Sequence, residues 1–478
     1  MRYDDRMSDF DRIMWVIEKN PLLRSTIAAI TVLDRTPDRA RVLHCVDRAT
    51  RNIPRLRQRV VWNPYSIAPP RWEFDPNFDL SYHVRFASAG GHNTFDDVIA
   101  FVEPMVMQSF DRDRPLWEFV VIENMADGQA ALITKLHHTI TDGIGAVRLL
   151  LELVDLEPDP SHEADMPPEP DIVVLNQTQR FRSAVLHEAQ RQRSLVQQGF
   201  GVVERLREDP STTTRGAAAV ATSVGRAARS GIKPLSPLMV GRSTSSSLHT
   251  FDVEVKALKT AARVAHARLN DALVVAVANG LNRYHNAMGT PVDRLRMGMA
   301  INNRFAERAD RSGNEFVPAR FEVPIAIEDP IEHMRTMRDI IRTQRAEPML
   351  SLMEPLAGIV SRFPRFVVTN LFTAALSGQD FNVSNVPGAD IEVYFAGTTI
   401  VAQYPIGPLS GAAVNVTLLS YLDTAYIGLN LDRAAITEID LFVDCIQQGL
   451  EAVVYAGRKP ARKPASRKAA PRAKRTKR

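Results

Sequence analysis

Apolar positions fall at helical spacing from the start of the chain, where Ile13, Met14 and Ile17 form one stripe behind a Ser8 or Asp9 cap, predicting a helix over residues 8–18. STIAAITVLD, from Ser25, is a short apolar run suited to a buried strand, and Val42, Cys45, Val46 and Ala49 then return to helical spacing. EFVVIEN and AALITKLHH read as paired strands flanking MADGQ, where Asp127-Gly128 is expected to supply the positive φ angles of a tight hairpin. TITDG follows as a loop, then a helix with its stripe at Ile144, Val147, Leu151 and Val154. The pattern delivers two histidines to a junction of strand, loop and helix.

From Glu157 the text becomes proline-rich and acidic, and later poor in anything but small polar residues, around a helical stretch that includes SAVLHEAQRQRSLVQQ. Residues 158–247 are therefore expected to be a helical, low-complexity connection between a first domain, 1–157, and a second, 248–457. In the second, LHTFDVEV reads as a strand and two helices meet around Leu269–Asp271. RLRMGMAINNR and RFEVPIAI read as further strands, then IEHMRTMRDIIRTQ as a helix. FNVSNVPG, EVYFAGTTIVAQYP, AAVNVTLLSYLD and TAYIGLNLD give strand-rich text before a closing helix, TEIDLFVDCIQQGLEAVVY. Both halves are mixed α and β, with no repeat at a fixed period.

Length and composition agree with that division. A chain of 478 residues, 45% hydrophobic and 24% charged, suits two folded domains and excludes wholesale disorder, a collagen-like chain or a coiled coil. Two cysteines, Cys45 and Cys445, exclude a disulfide framework and favour a reducing, cytoplasmic compartment. No apolar run approaches the roughly 20 residues that span a bilayer, and the acid-rich MRYDDRMSDFDR lacks the apolar segment of a secretory leader, so any membrane contact is expected to be peripheral. The net charge of +4 conceals an asymmetry: residues 458–478 hold eleven Lys and Arg and no acid, leaving 48 basic against 55 acidic residues elsewhere. Such a proline-interrupted polybasic tail stays extended; it could meet an anionic membrane, a nucleic acid or only water.

The string with chemical content is HHTITDG, His137–Gly143. Side chains alternate along a strand, so His137 and His138 point apart and at most one serves a given cleft. A neutral imidazole can take a proton from an alcohol and return it to a leaving group, as acyl transfer requires. The same divergence argues against a metal held by His137, His138 and Asp142. GIGAVR lacks the third glycine of a dinucleotide fingerprint, and the chain has neither a GxSxG elbow nor a phosphate-binding P-loop.

HHTITDG, together with PRWEFDPNFDLSYHVR (70–85), PLW (Pro115, Leu116, Trp117), the ND pair (Asn270, Asp271) and SNVPG (384–388), resembles the bacterial wax ester synthase/acyl-CoA:diacylglycerol acyltransferases. That family shares HHxxxDG with condensation domains and acyltransferases of the chloramphenicol acetyltransferase type, and the resemblance runs from about Ser8 to Ala456. It implies two chloramphenicol acetyltransferase-like α/β domains arranged as a pseudo-dimer, with an active-site tunnel between them. His138 would be the general base, with His137, Asp142 and Gly143 shaping the site. Asn270, Pro115, Leu116, Trp117, Thr139, Ser384 and Asn385 are candidates for lining it, while Asp271 and Arg304 are assigned structural roles, Arg304 as a partner for Asp142.

Each of these strings also has a reading free of substrate: Trp117 as a packing anchor, Asn270-Asp271 as a helix cap, and SNVPG as the turn ending a strand. The sequence departs from the family's usual pattern at LLRSTIAAITVL, Ala300 and Thr139, near expected tunnel walls. No metal and no cofactor beyond acyl-CoA as co-substrate is implied. Diacylglycerol or a long-chain alcohol would be the acceptor, triacylglycerol or a wax ester the product. The tail then reads as a tether to the inner face of the membrane or to lipid droplets, and no nucleic-acid partner is expected. A noncatalytic lipid-binding protein of the same fold, or condensation-type transfer from a carrier-bound thioester, are the alternatives.

Overall fold

The computed structural model describes residues 4–62, 68–140, 149–159, 166–208, 233–302, 316–345, 358, 360, 363, 365–376 and 378–458. Its first half contributes helices α1 (Asp9–Ile17), α2 (Arg39–Asn52), α3 (Leu80–His83) and α4 (Phe95–Met107), and strands β1 (Thr26–Leu33), β2 (Gln58–Val61), β3 (Arg71–Phe74), β4 (Val84–Ala87), β5 (Trp117–Ile122) and β6 (Ala130–His137). A long helix, α5 (Gln177–Glu208), lies in the connection. The second half holds β7 (Ser246–Glu254), α6 (Val255–Val264), α7 (Leu269–Ala287), β8 (Arg294–Asn302), β9 (Phe316–Pro324), α8 (Pro330–Arg345) and α9 (Arg365–Leu376). It ends with β10 (Phe381–Pro387), β11 (Tyr394–Phe395), β12 (Thr398–Ile406), β13 (Val414–Tyr421), β14 (Thr424–Asp432) and α10 (Ile439–Arg458).

Local chemistry sets the boundaries. The Ser8 hydroxyl accepts the Asp11 N–H at 3.0 Å, capping α1, and the predicted stripe of Ile13, Met14 and Ile17 is buried. Asp38 caps α2 in the same way, and Val42, Cys45, Val46 and Ala49 face the core. Two elements depart from their expected form. The link between β5 and β6 is a longer loop, with positive φ at Asn124 and Gly128 and not at Asp127, because it also reaches back to Asn93, which takes the Ala126 N–H on its carbonyl. In the helical residues 149–153, Leu149 and Leu153 are buried while Leu151 points outward at 55% exposure, so the apolar stripe is offset from the one read in the sequence. Ile144 and Val147 lie outside the described residues.

The strands form two six-stranded mixed sheets, β11-β12-β1-β6-β5-β4 and β7-β14-β13-β10-β8-β9, plus the β2-β3 pair. The sheets do not follow the linear division at residue 248. Strands β11 and β12 leave the second half to complete the first sheet, with Ile30 of β1 opposite Tyr404 of β12 on one side and Ile133 of β6 on the other. Each sheet has its own apolar core, the first against α2 and α4 and the second against α6, α7, α8 and α10. A smaller cluster joins the halves: Ile13, Val16, Ile17 and Leu23 pack on Val368 of α9, and the Asn20 amide donates to the Thr373 hydroxyl at 3.1 Å.

Where β12 of the first sheet passes β14 of the second, the two run so close that a Cβ on Gly428 would stand 1.9 Å from the Pro405 carbonyl oxygen. Only glycine fits without moving backbone. Gly428→Ala should therefore cost about 1–3 kcal/mol of stability, read as a lower urea midpoint, since overpacking displaces neighbours that cannot yield. An unchanged midpoint would show that the crossing can open.

Candidate active site

The strand β6 is buried over its whole length and ends in His137, opposite Thr26 at the start of β1. The His137 backbone N–H donates to the Leu116 carbonyl at 3.0 Å, which ties the PLW segment to the histidine pair. One residue on, the His138 N–H donates to the Ser25 carbonyl at 2.9 Å. The end of β6 is thus pinned to both neighbouring strands before the chain turns.

The two histidines have different surroundings. His137 is 1% exposed, with Trp15 and Phe110 edge-on at ring-centroid distances of 5.6 and 5.9 Å. Its Nδ1 accepts the Thr139 backbone N–H at 3.0 Å and lies 2.8 Å from the Thr139 hydroxyl. Because a backbone amide can only donate, Nδ1 is the unprotonated nitrogen and Nε2 carries the hydrogen. That Nε2 stands 2.6 Å from Glu18 Oε2, a short contact with the carboxylate off the ring's N–H axis. Both His137 nitrogens are committed. His138 is half-buried at the following position, beyond the strand.

Glu18 closes α1 at its C-terminal cap, where the helix dipole disfavours a negative charge. Burial also pushes its carboxyl up. These costs are outweighed by the His137 imidazole, the Ser25 N–H at 2.7 Å and Arg112 at 3.8 Å, which together hold the carboxyl below the ordinary carboxylate range. A cavity of about 330 Å³ opens beside this group, lined among others by Trp15, Glu18, Arg24, Phe110, Arg112 and His137. Pattern reading missed Glu18, Ser25 and Arg112. The available signal was a carboxylate following the apolar stripe of α1, on the turn that leads into a buried strand.

The other candidates divide between the halves. Thr139 is buried and spends its hydroxyl and N–H on His137. Pro115, Leu116 and Trp117 are buried; the Trp117 indole donates to the Leu56 carbonyl at 2.7 Å and stacks on His83 at 4.5 Å. His83 is desolvated there and its pKa falls to about 4, so it remains neutral within the stack.

In the second half, Asp271 is the third residue of α7 and accepts the Arg268 N–H at 2.7 Å, which serves the helix start. Asn270 beside it reaches the Met299 sulfur of β8 at 3.7 Å. Met299 is paired with Val383 of β10, so Asn270 and Ser384 share one end of the second sheet, with Asn385 exposed next to them. Asp142, Gly143 and Arg304 lie outside the described residues. Among the described residues no group of three or more His, Cys, Asp or Glu side chains is arranged to hold a metal, and no helix is long and apolar enough to cross a membrane.

This mixed two-sheet fold, which exchanges strands between its halves and ends a central strand in a histidine pair, is shared with solved structures of an acyltransferase and of condensation domains. It matches the wax ester synthase/diacylglycerol acyltransferase of Marinobacter aquaeolei VT8 with a TM-score of 0.63 at 19% identity, over 95% of this chain and 100% of that one. The first condensation domain of the calcium-dependent antibiotic synthetase matches with a TM-score of 0.61 at 15% identity, over 97% of each chain. Residues 7–273 match the wax ester synthase/diacylglycerol acyltransferase catalytic domain, and residues 312–453 the C-terminal domain of the same family. A Mycobacterium tuberculosis relative provisionally named a diacylglycerol O-acyltransferase is 33% identical over 96% of this chain and 94% of its own. The chain belongs to the wax ester synthase/diacylglycerol acyltransferase family and is an acyltransferase of that class.

Replacing Glu18 by Gln removes a carboxylate stabilised in the folded state. Its contribution is fully present above the ordinary carboxylate range and lost as pH falls through the lower folded value. Urea unfolding should show Glu18→Gln less stable by about 2 kcal/mol at pH 7, with the gap closing in acid. A gap that persisted in acid would mean that the charge is not what matters.

Proposed function

We propose that this chain transfers the acyl group of a long-chain acyl-CoA to the free hydroxyl of diacylglycerol, forming triacylglycerol, and to long-chain alcohols, forming wax esters. The observation that carries the reading is the placement of the histidine pair at the buried end of β6, pinned by the His137 N–H on Leu116 and the His138 N–H on Ser25, within residues 7–273 that match the family's catalytic domain. The resemblance makes His138 the general base, and the close contacts of His137 with Thr139 and Glu18 suit a positioning role for the first histidine.

In this reaction the neutral His138 imidazole removes the acceptor hydroxyl proton as its oxygen attacks the thioester carbonyl. The tetrahedral intermediate collapses by breaking the carbon–sulfur bond, and the imidazolium returns its proton to the departing CoA sulfur. Atoms and charge balance without a covalent acyl-enzyme. His137 acts as a positioning residue: its backbone N–H on Leu116 and its ring on Glu18 fix the strand end from which His138 projects. The resemblance gives Asp142 and Gly143, which lie outside the described residues, a part in shaping the site, and Asn270 a polar contribution from the second half. The polybasic tail holds the enzyme against anionic lipid, where both products and acceptors dissolve.

The decisive measurement is CoA thiol release from palmitoyl-CoA with dioleoylglycerol or hexadecanol as acceptor. Acceptor-dependent release should fall about 10²- to 10⁴-fold in His138→Ala, with the circular dichroism spectrum retained. Absence of release by the folded wild type with either acceptor would overturn the reading in favour of lipid binding or of a carrier-bound donor. Deleting residues 458–478 should weaken sedimentation with anionic vesicles at low salt, and the difference should fade as salt screens the charge. Equal sedimentation would remove the tether.

A further inference from the structure

Helix α5 turns toward the body the kind of face that a surface helix ordinarily turns to solvent. Its start is set by a reciprocal cap, the Asn176 side chain accepting the Gln179 N–H and the Gln179 side chain the Asn176 N–H, each at 2.9 Å. From there the inward contacts are polar. Arg180 donates to both carboxylate oxygens of Glu73 at 2.8 to 3.2 Å, Arg6 and Arg71 donate to the Ser183 hydroxyl, and Arg191 pairs with Asp9. Ala184 and Glu188, at helical spacing between Arg180 and Arg191, are buried on the same side.

The apolar side chains are left outside. Phe181, Val185 and Leu186 on α5, with Ile172, Val173 and Val174 on the segment leading into it, are 43–65% exposed. Six of the fifteen large apolar side chains exposed among the described residues thus fall within residues 172–186, which is a cluster and not the scatter normal on a protein surface.

Charge follows the same division. Between Ile172 and Arg193 the sequence has one acid, Glu188, and it is buried against the body. Arg182 and Arg193 are exposed. Leu186 lies four positions after Arg182 and seven before Arg193, so cations and apolar side chains share one outward stripe. Two copies meeting through this stripe would set arginine against arginine with no carboxylate between them. Anionic headgroups above an acyl boundary complement it instead: the apolar side chains enter the boundary while the guanidinium groups stay among the phosphates.

We propose that α5 and the residues leading into it form a membrane-docking face, which inserts Phe181, Val185 and Leu186 into the headgroup region of an anionic phospholipid bilayer. This contact is apolar and differs in kind from the electrostatic tether of the tail. It does not depend on which reaction the chain performs.

Sedimentation of the full chain with vesicles of phosphatidylcholine and phosphatidylglycerol tests it. At about 1 M salt, where the Debye length is about 3 Å, the attraction of the tail is screened and the apolar contact remains. There the triple variant Phe181→Gln, Val185→Gln, Leu186→Gln should bind about tenfold or more weakly than the wild type, and Leu422→Gln, at an exposed leucine of the other half, should bind as the wild type does. The replaced side chains are exposed, and a retained circular dichroism spectrum checks the fold. A polarity-sensitive fluorophore gives a second readout: Cys45 and Cys445 are buried, so labelling falls on the new thiol of Val185→Cys. Its emission should shift to the blue on adding vesicles, and that of a label at Leu422→Cys should not. Absence of vesicle binding by the wild type at high salt, equal binding by the triple variant, or a label at 185 that stays in water each overturns the proposal. A dimer that the triple variant breaks while vesicle binding stays intact also overturns it and assigns the face to a second copy. Docking that depends on Phe181, Val185 and Leu186 in a protein that releases no CoA upholds the face while the proposed reaction fails.

Discussion

Strand β1 is hydrogen-bonded on one side to β6, which ends in the histidine pair, and on the other to β12, which arrives from the far half of the chain. Everything at the site depends on that double pairing. Ser25, immediately before β1, takes the His138 N–H on its carbonyl and gives its own N–H to Glu18. The position of the turn after β6 is therefore set jointly by the exit of α1, the start of β1 and the strand donated by the second half. A central strand satisfies its ladder on both edges, so a shift of register would turn every inward side chain to the opposite face.

The site accepts an unfavourable electrostatic choice and compensates for it locally. A buried carboxylate at a helix C-terminus opposes both solvation and the dipole. Glu18 is retained there because an imidazole, a backbone amide and a guanidinium converge on it. The result is a histidine with its tautomer fixed: Thr139 supplies the only N–H that His137 Nδ1 can accept in this network, leaving Nε2–H toward Glu18. Its neighbour one residue on is fixed at the backbone by its own N–H on the Ser25 carbonyl.

Much of this was legible in the sequence, and the remainder has identifiable causes. The stripes of α1 and α2, the apolar run of β1 and the fully buried β6 follow from periodicity, and HHTITDG, PLW, ND and SNVPG carry the family. Glu18 escaped because a pattern of apolar positions scores a carboxylate as surface, and its partner lies on another strand far along the chain. The exchange of β11 and β12 escaped because β12 reads like any other strand of its own half; nothing local distinguishes which sheet it will join. Leu151 misled because three leucines in a row, Leu149–Leu151, with Leu153 and Val154 just beyond, fit a helical stripe in more than one phase. Trp117 was open to two readings, and its burial against His83, with its indole on Leu56, shows how it packs.

The pairing of β1 with β12 also imposes an order of events on synthesis. Leu33 ends β1 and Ile406 ends its partner, so the intervening chain must be made before that edge can close. At about 5–20 residues per second, the interval is roughly 20–75 s. Once β6 has been made and paired, β1 still presents an open row of backbone donors and acceptors on its other edge, the configuration that invites pairing with a foreign strand. The nascent chain thus depends on whatever shields that edge until β12 emerges.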